Sequence, residues 1–313
     1  MEKSGLSKNE GVLMTEEKSK WVKYGAIFAI IIMLGSGVLA VSMLLDDSAE
    51  PTEYPLKNIK GQQTDFTFKN AKDGVKYLPA GVLSVNILKI YPDDEISESL
   101  SHSFPGIVTD KVMLGSYKEG MIEYYSVKEN NNGSIVVQGK PTYDKYGGYD
   151  MIRVSPAQRA IIGDPLIIAS FFNYSKDSTL GKRVIDVLNG DASGATDLND
   201  ILAYADDVDN FDEIIAYKAN AGSDYDKYYQ RSSQSGTGIL QMEAIILSPD
   251  DSVKESVSAF SNNASESVTV AVTENGPALK IYITSSDYIG FLTKTNELYK
   301  LISTHTVQSN STA

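Results

Sequence analysis

The chain has 313 residues, with 41 acidic against 28 basic side chains, a net charge of -13, two histidines and no cysteine. The lack of cysteine excludes disulfides, thiolate metal sites and a thiol nucleophile, and the acidic balance argues against nucleic acid, whose phosphates demand Lys and Arg. With 42% apolar and 22% charged residues the composition is that of a folded protein.

Residues 1–21 read as a short cytoplasmic tail and residues 22–45 as a membrane span. From Tyr24 to Leu45 there is no charge for twenty-two residues, enough at 1.5 Å per residue to cross a hydrocarbon core of roughly 30 Å. The run is too long for the apolar part of a cleaved signal peptide. Lys18, Lys20 and Lys23 precede it, while Asp46, Asp47, Glu50 and Glu53 follow, so the positive-inside rule places everything after residue 45 outside the cell. The external part carries 23 basic and 37 acidic groups, a net of -14, and is expected to stand off anionic lipid. Residues 46–62, with Pro51 and Pro55, read as a semi-extended stalk.

Beyond the stalk the sequence predicts two tandem α+β modules at 63–196 and 197–303, each a mostly antiparallel sheet with helices on one face, and a flexible tail at 304–313; whether the modules share one continuous sheet is left open. Residues 81–101 align without a gap to residues 238–258, eight of 21 positions being identical, including Pro92-Asp93-Asp94 and Pro249-Asp250-Asp251. Each copy reads as an apolar strand followed by a helix with proline at its first position. Ile96 and Leu100 in one match Val253 and Val257 in the other, an inward-facing i, i+4 seam. Residues 120–127 and 135–137, separated by Asn130-Asn131-Asn132-Gly133, together with the region 143–149, read as a hairpin inserted in the first module.

Farther on, strands at 157–162 and 166–171 precede a helix at 178–188, and a short helix at 197–205 and a strand at 213–217 join the halves. The second copy continues with strands at 268–273 and 278–284 and a helix at 286–302, with Ile289, Leu292, Leu298 and Ile302 inward.

The anchor and stalk followed by residues 76–90, KYLPAGVLSVNILKI, resemble a loose class of prokaryotic membrane-anchored external proteins of unknown function. Lys outnumbers Arg by 24 to 4, and an anchor with Asn-x-Ser/Thr sequons but no Cys is similar to what methanogenic archaea export. The resemblance implies a cell-envelope location and no reaction.

The densest acidic cluster is Asp206, Asp207, Asp209, Asp212 and Glu213. It lacks the EF-hand spacing, since Phe211 and Asp212 stand where an oxygen donor and glycine are needed, and it reads as a solvated turn. Glu98 and Glu255 are expected on solvent-facing helix positions, and His102 and His305 as surface residues, the latter in the tail. Tyr124, Tyr125, residues 143–149 and residues 225–229 form tyrosine clusters that suit strands as well as binding surfaces. Sequons stand at Asn132, Asn173, Asn263 and Asn310. No catalytic, cofactor-binding or metal-binding residue is singled out, and no cofactor is implied. The expected function is a non-enzymatic binding or scaffolding protein of the envelope, with the membrane (through residues 22–45) and a protein as partners. The alternative is an external hydrolase using an acidic pair between the modules.

Overall fold

The computed structural model describes residues 51–56, 62–63, 69–92, 94–138, 142–155, 157–171, 179–263 and 266–306. The expected tail and span at 1–45 lie outside these residues. No helix among those described is long and apolar enough to cross a membrane.

The protein is a mixed α+β structure. In chain order its strands are β1 (Pro51–Pro55), β2 (Gln62–Gln63), β3 (Ser84–Lys89), β4 (Ile107–Ser116), β5 (Gly120–Asn130), β6 (Ser134–Gln138), β7 (Tyr143–Tyr146), β8 (Tyr149–Ser155), β9 (Gln158–Asp164), β10 (Leu166–Phe171), β11 (Glu213–Lys218), β12 (Lys227–Gln234), β13 (Leu240–Leu247), β14 (Val268–Asn275) and β15 (Ala278–Ser285). The helices are α1 (Ala71–Gly74), α2 (Glu95–Ser103), α3 (Thr179–Leu188), α4 (Asn199–Leu202), α5 (Asp251–Asn262) and α6 (Tyr288–Thr304). One sheet runs β14-β15-β13-β12-β11-β3-β4-β5-β10-β9-β8-β7, and β2 adds a short parallel contact to β9. Each successive pair along that path is antiparallel.

The two expected modules are therefore halves of one sheet, joined where β11 pairs with β3, and the helices cover both faces rather than one. Successive residues of a strand point to opposite faces. On β13, Ile245 and Leu247 join an apolar cluster with Ala71, Val75, Leu180, Val184, Ile201 and Leu202, which come from α1, the turn after it, α3 and α4. Met242, Ala244 and Ile246 join a second cluster with Val253, Val257 and Phe260 of α5 and Phe291, Leu298 and Ile302 of α6. Central strands buried on both sides need such double cover.

The aligned segments do form strand-then-helix units, but they do not superpose. At the sequence offset, Val85 and Ile87 correspond to Met242 and Ala244. The first two face the α3 and α4 cluster and the last two the α5 and α6 cluster, on the other side of the sheet. A strand buried on both faces tolerates this one-residue change of face, which a half-exposed strand does not. The connections differ as well. The chain passes from β3 through α2 to β4, its immediate antiparallel neighbour, whereas β15 lies between β13 and β14. Neither proline occupies the first helical position. Asp94 and Asp250 are the N-cap residues, and Asp250 Oδ1 accepts from Val253 N at 3.0 Å. Val253 and Val257 are fully buried, but Ile96 and Leu100 are only half-buried.

Other expectations change for identifiable reasons. The proposed stalk contains β1, which pairs antiparallel with β6, and its prolines stand at the two ends of the strand. Of the expected inserted hairpin, residues 120–137 do not form one, since β5 is a central strand between β4 and β10 and β6 leaves the sheet to pair with β1, while the region from Tyr143 does. Residues 143–155 form the outermost hairpin, whose turn needs positive φ at Gly147 and Gly148 (54° and 86°). In α6 Ile289 is 71% exposed, and the inward face is Phe291, Lys294, Leu298 and Ile302. Lys294 is accommodated by Asn263 O at 3.1 Å, Glu297 at 2.9 Å and the face of Phe260.

The cap assignment gives a prediction. Asp250→Ala should remove the cap and lower Tm by roughly 2–4 °C, while Asp251→Ala, one residue on and exposed, should leave it nearly unchanged. Val253→Asp buries an unpaired charge and should abolish the cooperative thermal transition seen by circular dichroism.

Candidate functional site

The acidic cluster at 206–213 does not converge. Asp207 accepts from Asn70 at 2.8 Å, Asp209 lies 3.8 Å from Lys69, and Asp212 accepts from Tyr91 Oη at 2.5 Å and Gln234 N at 2.8 Å. Asp206 turns the other way, to Lys280 Nζ at 2.8 Å and Tyr282 Oη at 3.1 Å. Each carboxylate serves a different neighbour, and no group of three or more potential metal ligands exists among the described residues. Asp206 also belongs to a buried ion network. Glu243, 1% exposed, accepts from Lys280 at 3.2 Å, Arg231 Nε at 3.3 Å and Asp206 N at 3.0 Å. Burial opposes the charged form of Lys280, but hydrogen bonds to Asp206, Tyr282 and Glu243 outweigh it and hold its pKa above the ordinary lysine value. Two cations matched by two carboxylates satisfy the requirement that buried charge be paired.

The fifth acid is set apart. Glu213 opens β11 opposite Leu88, while Asn86 lies opposite Ile215, so the two are diagonal neighbours on one face of the seam. Burial raises the Glu213 pKa to about 7, a hydrogen bond from Asn86 opposing only in part. Glu213 Oε1 and Asn86 Oδ1 have no partner among the described residues. Both are acceptors. A proton on Glu213, the form that burial favours, would supply a donor where two acceptors have none. Gln230, which accepts from Tyr228 Oη at 2.8 Å, and Tyr299 complete the polar island.

A second carboxyl, the half-buried Glu123 on β5, is also pushed up by desolvation, with Tyr125 Oη donating to it. It does not form an acid pair with Glu213. Three strand spacings separate β11 from β5, about 14 Å at ~4.8 Å each. Glycosidase-type carboxyl pairs lie roughly 5 to 9.5 Å apart.

The arrangement with the clearest chemical capacity lies at the C-terminal end of α6. His305 caps that helix. Its Nδ1 is 2.8 Å from Asp224 Oδ2 and its Nε2 is 3.1 Å from Ser256 Oγ, with Ser252 Oγ 3.4 Å from Nδ1. Serine on one ring nitrogen and carboxylate on the other is the order in which histidine acts as a base toward a hydroxyl. The rest of such a centre does not follow. Ser256 sits within α5, where backbone N–H groups serve the helix, and the Asp250 carboxylate already caps the helix N-terminus through Val253 N and Ser252 Oγ. The described residues thus show no free pair of donors for an oxyanion beside Ser256. What the contacts do achieve is a clasp. Asp224 N donates to His305 O at 3.1 Å and the Tyr225 and Thr306 hydroxyls lie 2.6 Å apart, tying the turn before β12 to both helices.

Sequence reasoning missed this constellation because it ended α6 too early and assigned His305 to the tail; Asp224, Ser256 and His305 have no telling spacing. His102 is exposed, with Nδ1 2.8 Å from Glu98 O, and Glu98 and Glu255 are exposed as expected. Of the tyrosines, Tyr124, Tyr225, Tyr228 and Tyr229 are core residues and Tyr143 is exposed. Asn132 and Asn263 are exposed, and Asn173 and Asn310 lie outside the described residues. The sequence matches no protein-family model, no curated protein and no solved structure.

The Glu213 carboxyl yields a pH prediction. Its pKa is higher folded than unfolded, so the folded state binds more protons between about pH 4.3 and pH 7 and loses stability as pH rises through that window. Glu213→Gln, which keeps the shape without the charge, should raise Tm at pH 8 and leave it unchanged near pH 4. The full linkage is worth up to about 3 kcal/mol. Equal effects at both pH values would exclude titration of Glu213.

Proposed function

We propose that the chain is a membrane-anchored protein of the cell envelope, its N-terminus cytoplasmic, whose external domain works by binding a protein partner rather than by catalysis. The anchor rests on the uncharged run at 24–45 and the change of charge sign across it. The binding reading is carried by β14. This end strand of the sheet has eight residues, no proline, no register shift against β15, and no charge before Glu274. Strand ends are normally blunted by shortness, charge, proline or a bulge. The opposite edge obeys the rule: β7 is four residues long with Asp144 and Lys145 exposed. An unblunted edge offers main-chain hydrogen bonds to an added strand.

Two measurements test the reading. Protease added to intact cells should remove the domain and spare residues 1–45; protection of the C-terminal half until lysis would overturn the topology. Hydrogen exchange should find the β14 amides that point away from β15 protected in native membranes and fast in the dilute purified chain. Fast exchange in both would remove β14 as a docking edge.

One observation favours a second reading, an acyl hydrolase: the Ser256, His305 and Asp224 contacts. It predicts covalent labelling of Ser256 by a fluorophosphonate, lost in both Ser256→Ala and His305→Ala. The binding reading predicts no labelling at Ser256.

A further inference from the structure

Building on the reading of β14 as a docking edge, we propose that its occupant is a second copy of this chain, paired antiparallel with the first about a twofold axis through Ala271. Residues 269–273 read Thr-Val-Ala-Val-Thr, the same in both directions. Antiparallel self-pairing centred on Ala271 therefore sets like against like: Thr269 opposite the partner's Thr273, Val270 opposite the partner's Val272, and Ala271 opposite itself. Thr–Thr and β-branched pairs are favourable cross-strand neighbours. A twofold contact requires such a self-complementary patch, whereas an unrelated strand does not.

The faces agree with the register. Thr269, Ala271 and Thr273 are exposed on one side, and small Ala271 at the axis leaves room for its counterpart. Val270 and Val272, on the other side, are only half-buried against the cluster under α5 and α6. Pairing places the partner's valines beside them and continues that apolar strip across the axis. Charge agrees too. Glu274 falls opposite the partner's Val268, and the two Glu274 side chains stand at opposite ends of the paired segment, roughly 20 Å apart at ~3.4 Å per residue.

A ladder of this length between two acidic bodies buries little area, so the dimer is weak in dilute solution. Tethering to a membrane raises the effective concentration toward the millimolar range and lets it form.

The absence of native cysteine makes the register directly testable. Directly opposed residues in an antiparallel pair have Cα atoms about 4.5 to 5.5 Å apart, within disulfide range. The full chain is reconstituted in phosphatidylcholine vesicles and oxidised, with folding of each variant checked by circular dichroism. Ala271→Cys should form a disulfide dimer at least about tenfold faster than Ala259→Cys, an exposed control on α5. Thr269→Cys and Thr273→Cys should cross-link with each other when mixed and not with themselves. In a second arm without thiols, Ala271→Lys and Ala271→Glu should each be monomeric and associate when mixed. Cross-linking of Ala271→Cys no faster than the control, or self-linking of Thr269→Cys as fast as the mixture, overturns the proposal. If the outward-pointing β14 amides are nonetheless protected in native membranes, another protein occupies the edge and the docking reading stands; if they are not, both fall.

Discussion

Everything in this domain depends on the pairing of β11 with β3. That contact joins two groups of strands that are 127 residues apart in the chain at Ile214 and Ile87. It also puts β3 and β11 deep inside a twelve-strand path, with Val85, Asn86, Ile87 and Leu88 all buried. A strand with no solvent face cannot keep its polar atoms wet, so the seam's polar residues must satisfy one another. Glu213 and Asn86 can do so only while Glu213 keeps its proton, the form that burial favours, and the Arg231, Glu243, Lys280 and Asp206 network does so through charge matching. The first solution is neutral and the second ionic. Both constrain strand register, since a slip by one residue would carry every one of these groups to the other face.

The same constraint explains why the helices divide between two faces. With both sides of the central strands apolar, a single helical layer would leave one side in water. The α1, α3 and α4 group covers one side and the α5 and α6 pair the other. The His305 clasp then secures the end of α6 to α5 and to the turn before β12, at a point where a helix of seventeen residues would otherwise fray.

Much of this was legible in the sequence, and the misses have physical causes. Strong apolar runs such as residues 166–171 and 240–247, and hairpin turns such as Asn275-Gly276, identify their strands. The α+β class and the antiparallel preference follow from them. By contrast, β4 carries Asp110 and Lys111 across a register shift, which breaks the alternation that marks a strand. Strand β12 reads as polar because Gln230, Arg231 and Ser233 are buried only by virtue of partners elsewhere in the chain. On α6 the expected inner face fails only at its start, where Ile289 is exposed and buried Lys294 takes an inner position, while Leu298 and Ile302 face inward as expected. The repeat was over-read for a related reason. Strands apolar on both faces look alike whichever way they turn, so similarity of β3 and β13 says nothing about which face each presents. Sites assembled from distant segments, such as Ser256, His305 and Asp224, leave no local signal at all.

The order of strands also bears on how the chain folds as it is made. Strands β3 to β5 and β7 to β10 all lie within residues 84–171, but until β11 emerges the edge of β3, which carries Val85, Ile87 and Leu88, has no strand beside it. A nascent or truncated chain ending before Glu213 would thus carry a sticky edge in the middle of its future core. Contacts of such long sequence separation form slowly, and open strand edges meanwhile recruit neighbours. The seam that holds the finished domain together is, for a growing chain, its period of greatest exposure to aggregation.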